Sequence, residues 1–372
     1  MTVRYSKAVG RLPSYPVAAG YGESGDVALM ASNESPEPPL EAVVEAAHRA
    51  LLGTNRYPDP SASRLRAVLS DRFEVPASRI QIGNGSCEIL LAAADALLED
   101  GAEMLFAWPS FSIYPHMAEA TGARQVRVPL DEHQCHDLDA MLAQITAATQ
   151  IVIVCNPNNP TATALPLKQI ADFIAAVPDH ICVILDEAYC EYNTLDDPDA
   201  SLRLLEKHPN LVLLRTFSKV YGLAGLRVGY ALCGSDAFVA ATTQVRQPFH
   251  TNAAAQAAAI AVLDYEDEIV RRVERAVAER IGLIEGLLEL GIEATDSQTN
   301  FIWFDLPAAD ADPAEVERGV LAGLAERGFQ VRSGTALGRP GALRVSFGTP
   351  EQNRGFLEAL GALVGDAAPA AR

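Results

Sequence analysis

The sequence predicts an α/β fold, with a mostly parallel sheet in a large domain followed by a smaller α+β domain. Three observations carry this. Continuous apolar runs recur through the middle of the chain, helical patterns lie between them, and the last third changes to long amphipathic helices separated by isolated strands.

The elements follow in order. The first forty residues carry Pro13, Pro16, Pro36, Pro38 and Pro39 with little periodicity, and are expected to run as an extended arm. A glycine-rich turn, Gly83-Asn84-Gly85-Ser86, precedes an apolar helix over 89–98. Leu138, Met141, Leu142 and Ile145 share one helical face, as do Ile170, Phe173, Ile174 and Val177. The runs 151–155, 181–185, 211–214 and 228–232 lack polar alternation, which suits strands buried on both faces. Val270, Val273, Val277, Ile281, Ile284 and Leu288 mark a long helix. A strand over 301–304, a helix through Val316 and Leu324, strands around Gln330-Val331 and 343–345, and a helix through Phe356 and Leu363 complete the pattern. The expected division is 46–264 for the large domain, with 1–45 and 265–372 as arm and small domain. The Ala- and Pro-rich end, 365–372, is expected to fray.

Composition narrows the function. The chain has 372 residues and is 49% apolar, enough for a large core. Lys plus Arg number 29 against 48 Asp plus Glu, a net charge of −19. That balance excludes nucleic acid and anionic membrane as expected partners, because both require a basic face. An anionic ligand would need a local cluster of cations. The cysteines Cys87, Cys135, Cys155, Cys182, Cys190 and Cys233 form no CxxC pair, so reduced thiols and no metal site are expected. No apolar segment follows the N-terminus as in a signal peptide, and the apolar stretch 253–263 is too short to span a bilayer. A cytoplasmic protein is expected.

Four stretches carry chemistry. Arg215-Thr216-Phe217-Ser218-Lys219-Val220-Tyr221-Gly222-Leu223-Ala224-Gly225-Leu226-Arg227 follows a buried run. A lysine just past a strand end is easily desolvated, which favours the neutral amine needed for a Schiff base. Thr216, Ser218 and Arg227 suit a phosphate. Asp186-Glu187-Ala188-Tyr189 ends another run, where α/β sheets bind ligands. A carboxylate there can keep a pyridinium nitrogen protonated, as pyridoxal phosphate chemistry requires. Cys155-Asn156-Pro157-Asn158-Asn159-Pro160-Thr161 holds amides rigidly at a third strand end. Gly83-Asn84-Gly85-Ser86-Cys87-Glu88 offers backbone N–H groups at a helix start. Taken singly, each also reads as a surface turn, a helix cap or an ordinary ion pair. Their succession at strand ends is what singles them out.

With these residues the chain resembles fold-type I pyridoxal-phosphate aminotransferases. Within them it is similar to the histidinol-phosphate aminotransferase family and its near relatives, the bacterial aromatic amino acid aminotransferases. The resemblance covers nearly the whole chain and includes Ala31-Ser32-Asn33-Glu34, Asn55-Arg56-Tyr57-Pro58-Asp59, Trp108-Pro109-Ser110-Phe111, Thr299-Asn300-Phe301 and Leu343-Arg344-Val345. It implies pyridoxal 5'-phosphate as cofactor, with Lys219 as the Schiff-base lysine and proton carrier. Asp186 would take the ring nitrogen, and Asn159 and Tyr189 the phenolic oxygen. Phe111 would stack on the ring. Ser86, Cys87, Thr216, Ser218 and Arg227 would hold the phosphate, joined by Tyr57 of a neighbouring subunit, so a homodimer is expected. Arg344 would bind the substrate's anionic group, with Arg332, Tyr15 and Asn33 as further substrate-pocket candidates.

Two positions depart from the family pattern. Ala162 stands where glycine is frequent and would be strained if its φ is positive. Cys87 replaces a more polar residue in the phosphate turn, leaving its N–H as the better donor. The implied reaction is transfer of an amino group from a small-molecule donor to a 2-oxo acid. L-histidinol phosphate with 2-oxoglutarate, as in histidine biosynthesis, is the favoured pair. Phenylalanine or tyrosine as donor is the alternative, because a guanidinium fork suits phosphate and carboxylate alike. A threonine-phosphate decarboxylase on the same scaffold is a further alternative.

Overall fold

The computed structural model describes residues 3–5, 9–10, 12 and 27–365. Tyr15 and the tail 366–372 lie outside them. From strand β1 (Ala28–Leu29) the chain runs without helix or strand to residue 40, then forms helices α1 (Glu41–Leu51) and α2 (Ser63–Phe73). β2 (Ile80–Gly83) leads into α3 (Ser86–Leu97). Three strand–helix units follow: β3 (Glu103–Trp108) with α4 (Ile113–Thr121), β4 (Arg124–Pro129) with α5 (Leu138–Ala143), and β5 (Thr149–Cys155) with α6 (Leu167–Ala176). β6 (Cys182–Asp186), β7 (Leu211–Thr216) and β8 (Gly229–Cys233) complete the large sheet.

The strand order is β2-β8-β7-β6-β5-β3-β4. Only β8 runs against its neighbours β7 and β2; the other pairings are parallel. The apolar run read at 228–232 is therefore the sheet's one reversed strand. It has no polar alternation because both its faces are covered, and that pattern does not report strand direction.

Successive side chains on a strand point to opposite faces, and the core divides accordingly. Leu105, Val152, Val154, Val183, Leu185 and Leu213 pack with Leu65 and Leu69 of α2 and Ile170 and Phe173 of α6. Met104, Phe106, Ile151, Ile153, Ile184 and Leu214 pack with Leu90 of α3 and Tyr114 and Met117 of α4. Each fully buried side chain of this kind contributes roughly 1.5–3 kcal/mol over exposure. All parallel strands, with β2, end on one edge of the sheet, and the chemistry-bearing turns leave from that edge.

Helices α7 (Asp236–Val245), α8 (Ala253–Val262) and the 24-residue α9 (Glu266–Glu289) follow. Glu266, Asp267 and Glu268 open α9, where negative charge complements the helix dipole. The last third contains β9 (Phe301–Asp305), α10 (Pro313–Glu326), β10 (Phe329–Gln330), β11 (Arg332–Ser333), β12 (Ala342–Ser346) and α11 (Pro350–Gly365). β11, β12 and β9 form an antiparallel sheet, and β1 pairs in parallel with β10. The single strand expected around Gln330-Val331 is thus two, interrupted at Val331, because the chain changes partner there from β1 to β12. A separate core joins Met30 of the N-terminal segment to Leu287, Ile302, Leu324, Val345 and Phe356. No described helix is long and apolar enough to cross a membrane.

Candidate active site

A cavity of about 390 Å³ opens between the carboxyl edge of the large sheet, the segment Ala31–Glu34, and β11 and β12. Of the residues singled out in the sequence, it gathers Asn33, Ser86, Cys87, Phe111, Asn159, Asp186, Tyr189, Thr216, Ser218, Lys219, Arg227, Arg332 and Arg344. Tyr57 lies elsewhere, exposed and stacked on Phe249 with ring centroids 4.4 Å apart. In a chain of net charge −19, this cavity collects Lys219, Arg227, Arg332 and Arg344. It is the local cluster of cations that an anionic ligand requires.

One end is built by close backbone approach. α3 starts at Ser86 with Gly85, φ 75°, before it and no side-chain cap, so its first N–H groups lack helical acceptors. A side chain at Gly85 would collide with the Arg227 guanidinium, and a Cβ at Gly229 would lie 2.5 Å from Ser86 N. Glycine at both positions lets Arg227 lie across the helix start. Ser218 N donates to Thr216 Oγ1 at 3.1 Å, and Arg227 Nη1 reaches Ser218 Oγ at 3.5 Å. Arg227 itself has φ 59°, a left-handed conformation that costs an ordinary residue roughly 1–2 kcal/mol. Burial pushes the Cys87 thiol up, so it stands neutral beside these cations.

Lys219 is the centre of the cavity's chemistry. The chain has four lysines, Lys7, Lys168, Lys207 and Lys219. Of those described, Lys168 and Lys207 are exposed and Lys219 alone is drawn inward. Its Nζ donates to Ser32 O at 3.2 Å and lies 5.5 Å from the Tyr189 ring centroid. Burial lowers its pKa to about 8, helped by the positive charge of Arg344.

Asp186 lies on the floor at the end of β6, buried. Its Oδ2 accepts from Tyr114 Oη at 2.7 Å and its Oδ1 from Ala188 N at 3.2 Å. Burial raises its pKa to about 6, against the pull of the Tyr114 hydrogen bond. The next residue, Glu187, points away and accepts from Arg215 Nε at 2.9 Å. That buried guanidinium also bonds Asp199 Oδ1 and Pro198 O, each at 2.6 Å, tying β6 to β7 behind the site.

The three asparagines after β5 divide their tasks. Asn156 clamps Leu165 through both amide atoms, and Asn158 ties Pro109, Ser110 and Thr161 together. Asn159 alone faces the cavity. Ala162 does have positive φ, 64°, and is held by hydrogen bonds from its N to Asn158 O and to its O from Gln298 N. The strain anticipated at this alanine is present, and the turn is over-determined by its partners.

The opposite wall carries Arg344 of β12 and Arg332 of β11, directly paired in register. Arg344 Nη1 donates to Asn159 Oδ1 at 2.5 Å, and its Nη2 to Ala31 O at 2.6 Å. Both arginines line the cavity together with the Glu34 carboxylate, and their guanidiniums can offer charge-assisted hydrogen bonds to a ligand anion. Asn33 lines the cavity with its amide engaged by protein partners: Nδ2 donates to Tyr189 Oη at 2.9 Å and Oδ1 accepts from Ser346 Oγ at 3.0 Å, so it also orients Tyr189. Burial pushes the Tyr189 phenol up, keeping it protonated.

Sequence reasoning missed Tyr114 and Leu337. Tyr114 stands three residues after Phe111, a spacing that shares a helical face, which was its only local signal. Leu337 lines the cavity from the turn after β11 and had none.

A family model described as aminotransferase class I and II matches residues 25–360. The aromatic amino acid aminotransferase of Cutibacterium acnes is 42% identical over 84% of this chain and 88% of its own. That of Thermobifida fusca is 41% identical over 94% of each chain. Among solved structures, histidinol-phosphate aminotransferase from Sinorhizobium meliloti in complex with pyridoxal-5'-phosphate matches with a TM-score of 0.87 and 25% identity, covering 99% of both chains. Thermus thermophilus aspartate aminotransferase with maleate shares the fold, with a TM-score of 0.84 at 24% identity over 97% of this chain and 100% of that one. This chain belongs to the aminotransferase class I and II family and is a pyridoxal-phosphate-dependent aminotransferase.

Proposed function

We propose that the amino donor is an aromatic amino acid, phenylalanine or tyrosine, and the acceptor a 2-oxo acid such as 2-oxoglutarate. The observation that carries the reading is the placement of Lys219 in one cavity with two separate groups of cations. One is Arg227 over the start of α3, and the other is the Arg344–Arg332 pair. A phosphate at the first and a substrate carboxylate at the second bracket the reacting amine. The aromatic preference is supported by the relatives at 41–42% identity that bear that name, and by Phe111 and Leu337 on the cavity wall.

The residues present fit pyridoxal phosphate. Gly85 and Gly229 let the Arg227 guanidinium and the start of α3 approach closely, so that Ser86, Cys87, Thr216, Ser218 and Arg227 line one end of the cavity and would together hold a phosphate. Asp186 would take the ring nitrogen, Phe111 the ring face, and Asn159 and Tyr189 the phenolic oxygen. When bound, the cofactor supplies an electron-withdrawing ring that stabilises the negative charge left when the substrate's Cα–H bond breaks. Asp186, ionised above about pH 6, holds a proton at the ring nitrogen. Lys219 Nζ, titrating at about 8, is neutral in a usable fraction at pH 7–8 and carries the Cα proton. Arg344 orients the substrate anion. In this reading residues 46–264 form the cofactor domain, and 1–45 with 265–372 carry the substrate arginines. Two chains would associate so that Tyr57 of one reaches the phosphate of the other.

Histidinol phosphate is a second reading. Two paired guanidiniums suit a phosphate dianion, and a solved histidinol-phosphate aminotransferase shares the fold over 99% of this chain. The test is a half-reaction without 2-oxo acid, following the absorbance of the lysine-linked cofactor. Faster loss of the band with phenylalanine or tyrosine than with histidinol phosphate supports the aromatic reading. The reverse order assigns the enzyme to histidinol phosphate. Carbon dioxide released from threonine phosphate would displace both.

A further inference from the structure

Tyr114 sits beneath the cavity floor with no exposed surface. Its hydroxyl donates to Asp186 Oδ2 at 2.7 Å. Its ring meets Phe111 edge-on, with centroids 5.7 Å apart and planes at 85°. Its N–H donates to Phe111 O at 3.0 Å. One residue of α4 thus braces both groups that would flank a pyridine ring, the aromatic cover and the buried carboxylate.

From this geometry we infer that Tyr114 is a positioning residue for the cofactor, fixing the Asp186 carboxylate in place and in its ionised form while its ring sets Phe111. The inference rests on the pyridoxal phosphate reading of the cavity.

A carboxylate accepts about four hydrogen bonds, so the contacts from Tyr114 and from Ala188 N–H leave Asp186 acceptor capacity toward the cavity. Burial and the neighbouring Asp186 push the Tyr114 phenol well up, so the hydroxyl keeps its proton and acts toward Asp186 as a donor. The titratable groups facing Asp186 are Tyr114 from α4, Cys155 from β5, Cys87 at the start of α3, Glu187 and Tyr189 on its own segment, and Lys219 beyond β7. Tyr114 and Lys219 favour the carboxylate, while burial and Glu187 oppose it. Removing the hydroxyl leaves burial less opposed, and Asp186 then titrates at higher pH.

Tyr114→Phe keeps the ring against Phe111 and deletes only the hydroxyl. Cofactor-free protein, wild type and variant, is titrated with pyridoxal phosphate between pH 5 and 9 and followed by absorbance and tryptophan fluorescence. The variant is expected to bind about tenfold more weakly at pH 7, with the acid limb of binding moved up by about one pH unit. In an Asp186→Asn background the same change should alter the remaining affinity by less than about twofold. A variant with wild-type affinity and acid limb overturns the inference, and so does one that loses thermal stability with an unmoved limb. If the wild type itself takes up no pyridoxal phosphate, the cofactor reading falls and this inference with it. Wild-type uptake with an unaffected variant removes this inference alone.

Discussion

Arg344 Nη1 and Asn159 Oδ1 share a 2.5 Å hydrogen bond that joins β12 to the turn after β5 across the cavity. The arginine proposed to bind the substrate's anion is therefore already bonded to the amide proposed to face the cofactor. Its second nitrogen is held by Ala31 O at 2.6 Å, so the fork is oriented before any ligand arrives.

Arg344→Ala should raise KM for the amino donor and for the 2-oxo acid together, because both would use one anion site. The loss of charge-assisted bonds is worth about 1.5–3 kcal/mol, or roughly 10- to 100-fold in kcat/KM. Arg344→Lys keeps the charge without the fork and should fall between. Steady-state kinetics with both substrates varied checks this, and an unchanged KM would move the role to Arg332.

Asp186 and Lys219 are both held against their preferred charge states by burial, and the sign of each effect on stability follows. The folded pKa of Asp186, about 6, lies above its ordinary 3.8. Its contribution is therefore fully present below pH 3.8 and lost as pH rises through 6. The folded pKa of Lys219, about 8, lies below 10.5, so its contribution is present above 10.5 and lost as pH falls through 8. At neutral pH both weaken the cofactor-free fold, Asp186 by on the order of 2–3 kcal/mol. Asp186→Asn should raise the Tm of the cofactor-free protein at pH 8, with the gain vanishing below about pH 4 and cofactor affinity weakened. Thermal melts across pH test it.

The ion pair behind the site predicts the opposite behaviour. Arg215 and Glu187 are both buried, and Glu187→Ala leaves the guanidinium short of a partner. A loss of about 3–5 kcal/mol is expected, measured by urea denaturation. Replacing both residues by apolar ones, Arg215→Met with Glu187→Leu, should recover much of it.

Tyr57 tests the proposed assembly. It is 80% exposed and stacks on Phe249 with ring centroids 4.4 Å apart. Tyr57→Phe should weaken cofactor retention severalfold in a dimer that shares the phosphate. Light scattering that finds an active monomer would contradict the sharing.

The parts of this site legible in the sequence are those that strand geometry makes local. Asp186 directly follows the apolar run 181–185 and Lys219 comes five residues after the run 211–214, and in a parallel sheet such turns share one edge. Asn159 stands four residues past Cys155, within the same turn. Contacts between distant segments had no comparable signal. Tyr114 and Asp186 are 72 residues apart, and Asn33 and Tyr189 are 156 apart. Edge strand β4 alternates exposed and buried residues, with Arg124 and Arg127 outward, so it escaped a search for continuous apolar runs. The reversal of β8 was hidden for the converse reason, since burial on both faces looks alike in either direction. The break at Val331 depends on which strands the chain meets on each side, a property of the assembled small sheet.

The central claim is that Lys219 carries the cofactor and the proton. Lys219→Ala should abolish turnover, with pyridoxal phosphate still able to bind non-covalently. The most direct measurement is borohydride reduction of the cofactor-loaded wild-type protein, followed by peptide mass mapping. With only four lysines in the chain the assignment is unambiguous. The account predicts the added mass of the reduced cofactor on the peptide containing Lys219 and on no other. A label on Lys7, Lys168 or Lys207, or full turnover by Lys219→Ala, would contradict it.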